Sequence, residues 1–308
     1  MILICGIPSE SPLALVGEAL DRLGHPYRWF NQRHFERTEM SFEINAGGLS
    51  GWIEIDGEGF PLDAISGVYS RLMDHHRLPE LSGQDDDAPA TRHCAALQDT
   101  LMRWAEICPA RVVNRIAAMG SNSSKPYQAQ LIAQYGFEPP ATLITTDPRE
   151  VLEFHALHRK IIYKSISGVR SIVQTFDEKD LSRLASIRWC PTQFQQYVAG
   201  TDVRVHVVGE QVFATEVQSS AIDYRYAKRQ VGQAAELSAV ELHADVAANC
   251  VALTKGLGLA FSGIDLKMAP DGRVFCFEVN PCPGYSYFEL NSGQPISTAV
   301  ANYLACND

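Results

Sequence analysis

SGIDLKMAPDGRVFCFEVNPCPGYS, residues 262 to 286, is the stretch whose reading decides the fold. Asp271-Gly272 is a strong two-residue hairpin signal, because both positions tolerate the left-handed backbone that such turns need. A turn centred on that pair sets Asp265 opposite Glu278, Lys267 opposite Cys276 and Gly263 opposite Asn280. Side chains alternate along a strand, so these six share one face. The other face then carries Ile264, Leu266 and Met268 against Phe275, Phe277 and Val279, and burial of that apolar surface fixes the register.

Two carboxylates directly across a strand pair repel one another and weaken the pairing unless positive charge lies beside them. Two arrangements answer this. Lys267 neutralises the pair on an otherwise ordinary exposed face, or a divalent ion sits between Asp265 and Glu278. Asp, Glu and the Asn280 amide offer only hard oxygen donors, which suit Mg²⁺. Mg²⁺ held by one or two carboxylates usually completes its shell with water and phosphate oxygens, so the second arrangement implies a nucleotide nearby.

FEVNPCPG preceded by GIDL resembles the metal-binding hairpin of the ATP-grasp ligases and, among them, of the RimK-like branch. That branch includes the ribosomal-protein glutamate ligase and the graspetide, or microviridin-type, peptide ligases. The resemblance implies that Asp265, Glu278 and Asn280 hold the magnesium of Mg-ATP, with Mn²⁺ as a substitute ion. It also implies an α/β chain of α+β lobes, an ATP-grasp fold behind an N-terminal Rossmann-like domain. The expected division is 1–120 for that first domain, 121–197 for the small lobe and 198–308 for the C-terminal lobe with the hairpin.

The local patterns agree with such a layout. ILICGIP reads as a buried strand, SPLALVGEALDRLG as an amphipathic helix stopped by Gly24, and HPYRWF as a second strand. SFEIN and GWIEI alternate as strands between glycine turns, and ISGVYSR ends a further strand at Ser70 and Arg71. LSGQDDDAPA is a solvated linker, and Thr91 to Cys108 forms a helix with Leu97, Leu101, Trp104 and Ile107 on one face. Pro126 opens a helix that Gly136 closes. ATLIT, IIYK and SIVQTF read as strands around the helix DPREVLEFHALH. DVRVHVVG and QVFATEVQ form a β pair, ELHADVAANCVALTKGLG a long helix, and SGQPISTAVANYLACN a terminal one.

Composition bounds the alternatives. The 308 residues are 46% hydrophobic, enough to bury a sizeable core, and two or three subdomains are expected. A net charge of -10 argues against a nucleic-acid partner, which Lys and Arg contacts to phosphate would have to hold. The eight cysteines form no CxxC pair and read as reduced, mostly buried thiols. No apolar run reaches the length of a membrane span, and MILICGIPSE lacks the basic start of a signal peptide, so a cytoplasmic protein is expected. His75, His76, His155 and His158 lack ligand spacing and read as surface residues. No GxGxxG or GxxxxGK[ST] occurs, which removes Rossmann dinucleotide and P-loop sites.

Further positions carry chemistry once the resemblance is in hand. Lys164 ends the strand IIYK before SISGVRS, a small-residue loop with Gly168 and Arg170; a lysine there suits phosphate oxygens, and an exposed strand end is the plainer alternative. Lys125, in NSSK, matches the family's other ATP-contacting lysine or is a solvated helix start. Gln195, Gln196, Tyr197 and Val198 match the hinge that meets adenine, with Gln196 where relatives often have Glu. Asp202 would accept from ribose hydroxyls. Arg204 would face the transferred phosphoryl group or simply bridge to Asp202. Arg225, in SAIDYRYAKRQ, matches an arginine placed near phosphate or substrate.

The resemblance therefore implies a carboxylate-amine or carboxylate-hydroxyl ligase that consumes ATP on an amino-acid or peptide substrate, alone or as a homodimer. The alternatives from other classes are an ATP-grasp kinase and an ATP-binding protein without turnover.

Overall fold

The computed structural model describes residues 1–166, 173–219, 232 and 235–306. The chain opens with strand β1 (Ile2–Gly6), buried along its whole length, and helix α1 (Ser11–Leu23). Pro12 occupies the first turn of that helix, where its missing N–H costs nothing, and Gly24 caps the end in the left-handed conformation at φ 72°. Strand β2 (Tyr27–Asn31) returns parallel to β1, as the βαβ pattern requires.

Strands β3 (Thr38–Asn45), β4 (Gly48–Ile55) and β5 (Glu58–Pro61) form a separate antiparallel sheet. Strands β6 (Gly67–Ser70) and β7 (Arg111–Val113) then extend the first sheet in the parallel order β2-β1-β6-β7. One face of this sheet is covered by helix α2 (Pro89–Ile107) and the β3–β5 sheet, with Trp104, Leu97, Leu101 and Ile53 in the core between them. Ile107, expected on the buried face of α2, lies in its last turn and is 49% exposed.

Helices α3 (Ile116–Met119) and α4 (Lys125–Ala133) lead to a second antiparallel sheet, ordered β10-β9-β11-β8. Its strands are β8 (Thr142–Thr145), β9 (Ile161–Ser165), β10 (Gln174–Thr175) and β11 (Thr192–Gln196). Helix α5 (Pro148–His158), capped by the Asp147 carboxylate, and the short α6 (Glu178–Leu181) accompany it. Its core is small: Val151, Ile161, Phe176, Leu184 and Phe194.

The third large sheet is antiparallel, β14-β13-β12-β15-β16. It contains β12 (Thr201–Val208), β13 (Gln211–Gln218), β14 (Glu236–Val240), β15 (Phe261–Met268) and β16 (Val274–Asn280). Helix α7 runs Ala244–Gly256, so the long helix expected from Glu241 starts three residues later. Leu242 precedes it in extended chain and packs on the core, which a helical start would have turned away. Helices α8 (Ser286–Ser292) and α9 (Ile296–Ala305) close the chain.

The hairpin differs from its expected form near the tip and matches it at the far end. Ala269 N–H donates to Arg273 O and Gly272 N–H to Ala269 O, so Pro270, Asp271 and Gly272 form a three-residue loop with Gly272 left-handed at φ 86°. This shifts the register by one: Lys267 pairs with Phe275 rather than Cys276, and Leu266 with Cys276. A β-bulge at Phe277 absorbs the extra residue, which restores the pairs Asp265–Glu278 and Gly263–Asn280. Cys276 consequently joins Ile264, Leu266 and Val279 in the core, and Phe277 leaves the apolar face assigned to it.

The base of the hairpin is fastened to the N-terminal sheet. Asn114, just past β7 and 4% exposed, receives the N–H groups of Ala260 and Phe261 on Oδ1 at 2.8 and 3.1 Å. Its Nδ2 donates to Phe261 O and Pro281 O, both at 2.6 Å, so one amide holds the start of β15 and the exit of β16. Tyr285 donates to Pro12 O at 2.6 Å, and α9 packs Ile296, Val300 and Leu304 against Ile2, Ile4 and Leu13. Replacing Asn114 by Ala leaves several buried backbone groups unpaired. Asn114→Ala should lower the unfolding free energy by about 3 kcal/mol in urea titration; a change below about 0.5 kcal/mol, the usual surface range, would show that this fastening is dispensable.

Candidate active site

Three adjacent strands of the large sheet present their polar residues as rungs on one face. Arg204 on β12 pairs with Asp265 on β15, which pairs with Glu278 on β16. On the next rung His206 pairs with Gly263 and Gly263 with Asn280, while on the other side Asp202 pairs with Lys267. The opposite face of the same strands is apolar and buried against α4 and α7, so these rungs lie on the other face, where Asp202, Arg204, Asp265, Lys267 and Glu278 line a cleft.

The repulsion between the two carboxylates is answered by cations from other strands and helices. Arg204 Nη1 lies 2.7 Å from Asp265 Oδ1, with the arginine side chain 7% exposed. Lys125 Nζ, at the start of α4, lies 3.2 Å from Glu278 Oε2 and donates to Asn122 Oδ1 at 2.7 Å. Burial pushes the Glu278 carboxyl up, but Lys125, Lys164 and Arg204 together outweigh it and hold the group below its ordinary value, so it is ionised. Arg204 therefore does not bridge to Asp202. Asp202 instead meets Lys267 at 3.0 Å, directly opposite it in the ladder, which is why Lys267 is not the cation that neutralises Asp265 and Glu278.

Arg204, Asp265 and Glu278 line a cleft between the large sheet and the β8–β11 sheet. Lys164, Ile162, Val173, Gln195, Tyr197 and Val198 form one wall, and Asp202, Arg204, Asp265, Lys267, Phe277 and Glu278 the other. Apolar walls with a few convergent charges are the make-up of a small-molecule site. The two walls meet where β11 leads into β12, at Gly200, whose φ of 148° and close approach to the Met268 carbonyl leave no room for a side chain. Tyr197 is steadied by its N–H bond to Lys160 O at 3.1 Å and by Lys160 Nζ at 3.6 Å from its ring centroid.

Of the residues singled out in the sequence, Lys164, Gln195, Tyr197, Val198, Asp202, Arg204, Asp265 and Glu278 converge on the cleft. Gln196 does not line it, because alternation along β11 turns its side chain away from Gln195 and Tyr197. Lys125 and Asn280 stand beside the cleft, reached through Glu278 and Gly263 respectively. Gly168, Arg170 and Arg225 lie outside the described residues. Lys267 and Phe277 are lining residues to which the sequence assigned no part in a ligand site. Alternation already put Lys267 on this face, whereas Phe277 arrives only through the bulge, which the sequence does not announce.

The donor set fits a magnesium ion. Asp265, Glu278 and Asn280 offer hard oxygens on neighbouring rungs, and Asn280 Oδ1 is oriented by the Cys282 N–H at 2.9 Å while keeping a second lone pair. The histidines are differently employed. Asp74, His75 and His76 lie close together, but His76 has Nδ1 on Asp74 at 2.8 Å and Nε2 on Asp86 at 2.9 Å, the pattern of an imidazolium between carboxylates. All eight cysteines are free, with Cys190, Cys282 and Cys306 exposed and the others buried. No helix among the described residues is long and apolar enough to cross a membrane.

Comparison with known proteins agrees with this geometry. A family model described as a RimK-like ATP-grasp domain matches residues 122–304. A protein of Sodalis glossinidius (strain morsitans) named "Probable alpha-L-glutamate ligase" is 26% identical over 242 residues, 75% of this chain and 80% of that one. Among solved structures, the Chryseobacterium gregarium RiPP-associated ATP-grasp ligase in complex with ADP and a leader and core peptide superposes with a TM-score of 0.82. It is 23% identical and the match covers 98% of this chain and 96% of that one, so it speaks for the fold. The ATP-grasp ligase PsnB, complexed with a phosphomimetic variant of its minimal precursor, Mg and ADP, is 27% identical with a TM-score of 0.76 over 98% of this chain and 97% of that one.

Gly263 gives a direct test of how tightly the site is built. A Cβ there would overlap both the Arg204 guanidinium and the Pro283 ring. In a crystal structure of Gly263→Ala the fold should persist with the Arg204–Asp265 separation opened from 2.7 Å to beyond about 4 Å, the limit of an ion pair. An unchanged pair would show that the arginine is not confined by this glycine.

Proposed function

The chain belongs to the RimK-like ATP-grasp family, and we propose that it is an ATP-dependent ligase joining a carboxylate to an amine or hydroxyl, with ADP and phosphate as the other products. The observation that carries this reading is the Arg204–Asp265–Glu278 rung with Lys125 and Lys164 beside it, which gathers two carboxylates and three cations at the cleft. In this reading residues 1–120 form the first domain, 121–197 the small lobe and 198–308 the C-terminal lobe.

Magnesium, held by Asp265, Glu278 and Asn280, would supply charge neutralisation across the ATP phosphates. The chain's own groups do the rest. Gln195, Tyr197 and Val198 bound the adenine end of the cleft, with Gln196 contributing through its backbone, and Asp202 faces the ribose. Lys125 and Lys164 meet phosphate oxygens and Arg204 faces the γ-phosphoryl group; the role near phosphate or substrate that the resemblance gives Arg225 falls outside the described residues.

A substrate carboxylate oxygen attacks the γ-phosphorus, the bond to the bridging oxygen breaks, and ADP leaves with that electron pair. The resulting acyl phosphate is attacked at carbon by the amine or hydroxyl, phosphate departs, and the nucleophile gives up its proton. No side chain serves as a covalent nucleophile; the protein positions reactants and neutralises charge.

A peptide or amino acid is the proposed carboxylate substrate. The peptide reading is supported by likeness along nearly the whole chain to PsnB, which was solved with its precursor, and the amino-acid reading by likeness to proteins named glutamate ligases. A cytoplasmic setting, where ATP is plentiful, fits the same chemistry.

The test is mass spectrometry of the protein incubated with Mg-ATP and extract of its source cells. ADP accompanied by a product that has lost water supports ligation, and the product mass separates cyclisation of one molecule from joining of two. A stable phosphorylated product would make the protein a kinase instead, and nucleotide binding with no new product would make it a binding protein. Glu278→Gln, which keeps the side chain's size but removes a charged donor, should abolish ADP formation; near-wild-type ADP release would remove Glu278 from the metal site. Arg204→Ala should lower kcat at least tenfold, on the order of 1.4 kcal/mol, with a smaller change in ATP affinity. Equal losses in kcat and affinity would recast Arg204 as a nucleotide-binding residue.

A further inference from the structure

His206 lies one rung beyond Arg204 on β12 and is completely buried. Its ring packs 5.1 Å from Phe288 and 6.2 Å from Phe261, centroid to centroid. Two residues apart on one strand, His206 and Arg204 share a face, and Arg204 Nε donates to His206 Nε2 at 3.5 Å. An Nε2 that accepts cannot carry the proton, so the ring proton sits on Nδ1. That Nδ1 is buried and has no hydrogen-bond partner.

A buried donor without an acceptor disfavours the folded state, and a phenylalanine would fill the same space without that defect. What the histidine supplies and phenylalanine does not is the acceptor for Arg204. Among the described residues the guanidinium also meets Asp265 on Nη1 and the Phe288 ring 5.8 Å from its central carbon, and it fills the space left at Gly263. The aromatic face and the glycine set where the plane lies; the Nε–H bond sets its rotation. Burial and the neighbouring Arg204 charge both drive the ring toward its neutral form, the only form that can accept.

We propose that His206 is a positioning residue for Arg204: its neutral ring, protonated on Nδ1, accepts from Arg204 Nε and fixes the guanidinium in the orientation that meets Asp265 and the cleft. This rests on the assignment of Arg204 to the transferring phosphoryl group.

Two experiments test it. In long-range ¹H–¹⁵N spectra of the wild-type protein at neutral pH, His206 should show the Nδ1–H tautomer, assigned by its absence from His206→Phe. An Nε2–H tautomer or a charged ring would overturn the proposal, since neither can accept from Arg204. The second follows slow ADP release from Mg-ATP without an acceptor, together with thermal unfolding, for His206→Phe, His206→Gln, Arg204→Ala and the Arg204→Ala/His206→Phe pair. His206→Phe should lose about tenfold in kcat with little change in KM for Mg-ATP and an equal or higher Tm. Gln, whose amide oxygen can accept, should restore most of the rate, and the double variant should be no slower than Arg204→Ala. A rate loss that tracks a fall in Tm and is not restored by Gln would make His206 merely structural. Wild-type rates for His206→Phe beside a slow Arg204→Ala would overturn the positioning role alone. Wild-type rates for Arg204→Ala would overturn the assignment of Arg204 itself.

Discussion

The structure turns on a pair of like charges. Asp265 and Glu278 stand opposite one another in a hairpin, where repulsion should weaken the ladder, and the fold answers by bringing Arg204, Lys125 and Lys164 around them. These cations come from three places far apart in sequence: a neighbouring strand, the first turn of α4 and the end of β9 in the other sheet. Lys125, Lys164 and Arg204 hold Glu278 ionised. In the proposed function this electrostatic balance prepares the cleft for Mg-ATP.

Several parts of the chain hold that rung in place. The apolar reverse of β12, β15 and β16 packs on α4 and α7, which fixes the register. Asn114 fastens both ends of the hairpin's base to the N-terminal sheet, and α9 joins the two by sharing one core with β1 and α1. The β8–β11 sheet has a small core and supplies the opposite wall.

Much of this was legible in the sequence because it follows from local rules. Alternation placed Asp265, Glu278 and Asn280 on one face, glycine and proline bounded α1 and α4, and the βαβ opening was visible in the apolar runs. The hairpin's register was correct at the site for a partly accidental reason. The loop holds three residues, not two, and a bulge at Phe277 cancels the shift before Asp265 is reached. A bulge reflects how two strands settle against a third element, and no residue type in FCFEVN signals it. Partner choice was equally hidden. Arg204 and Asp202 are neighbours in sequence, yet each pairs across the ladder with Asp265 and Lys267, because cross-strand distances on one face are shorter than those along the strand. The fastening role of Asn114 depends on contacts 146 residues or more away and could not be read from its surroundings.

The most direct test of the account is a crystal structure with Mg²⁺ and a non-hydrolysable ATP analogue. Magnesium should lie at about 2.1 Å from oxygens of Asp265, Glu278 and Asn280, the distance its octahedral shell requires. Lys125 and Arg204 should then have turned from the carboxylates to phosphate oxygens, with adenine against Tyr197 and Val198. A nucleotide bound with the Arg204–Asp265 and Lys125–Glu278 pairs intact, and metal held elsewhere, would contradict it.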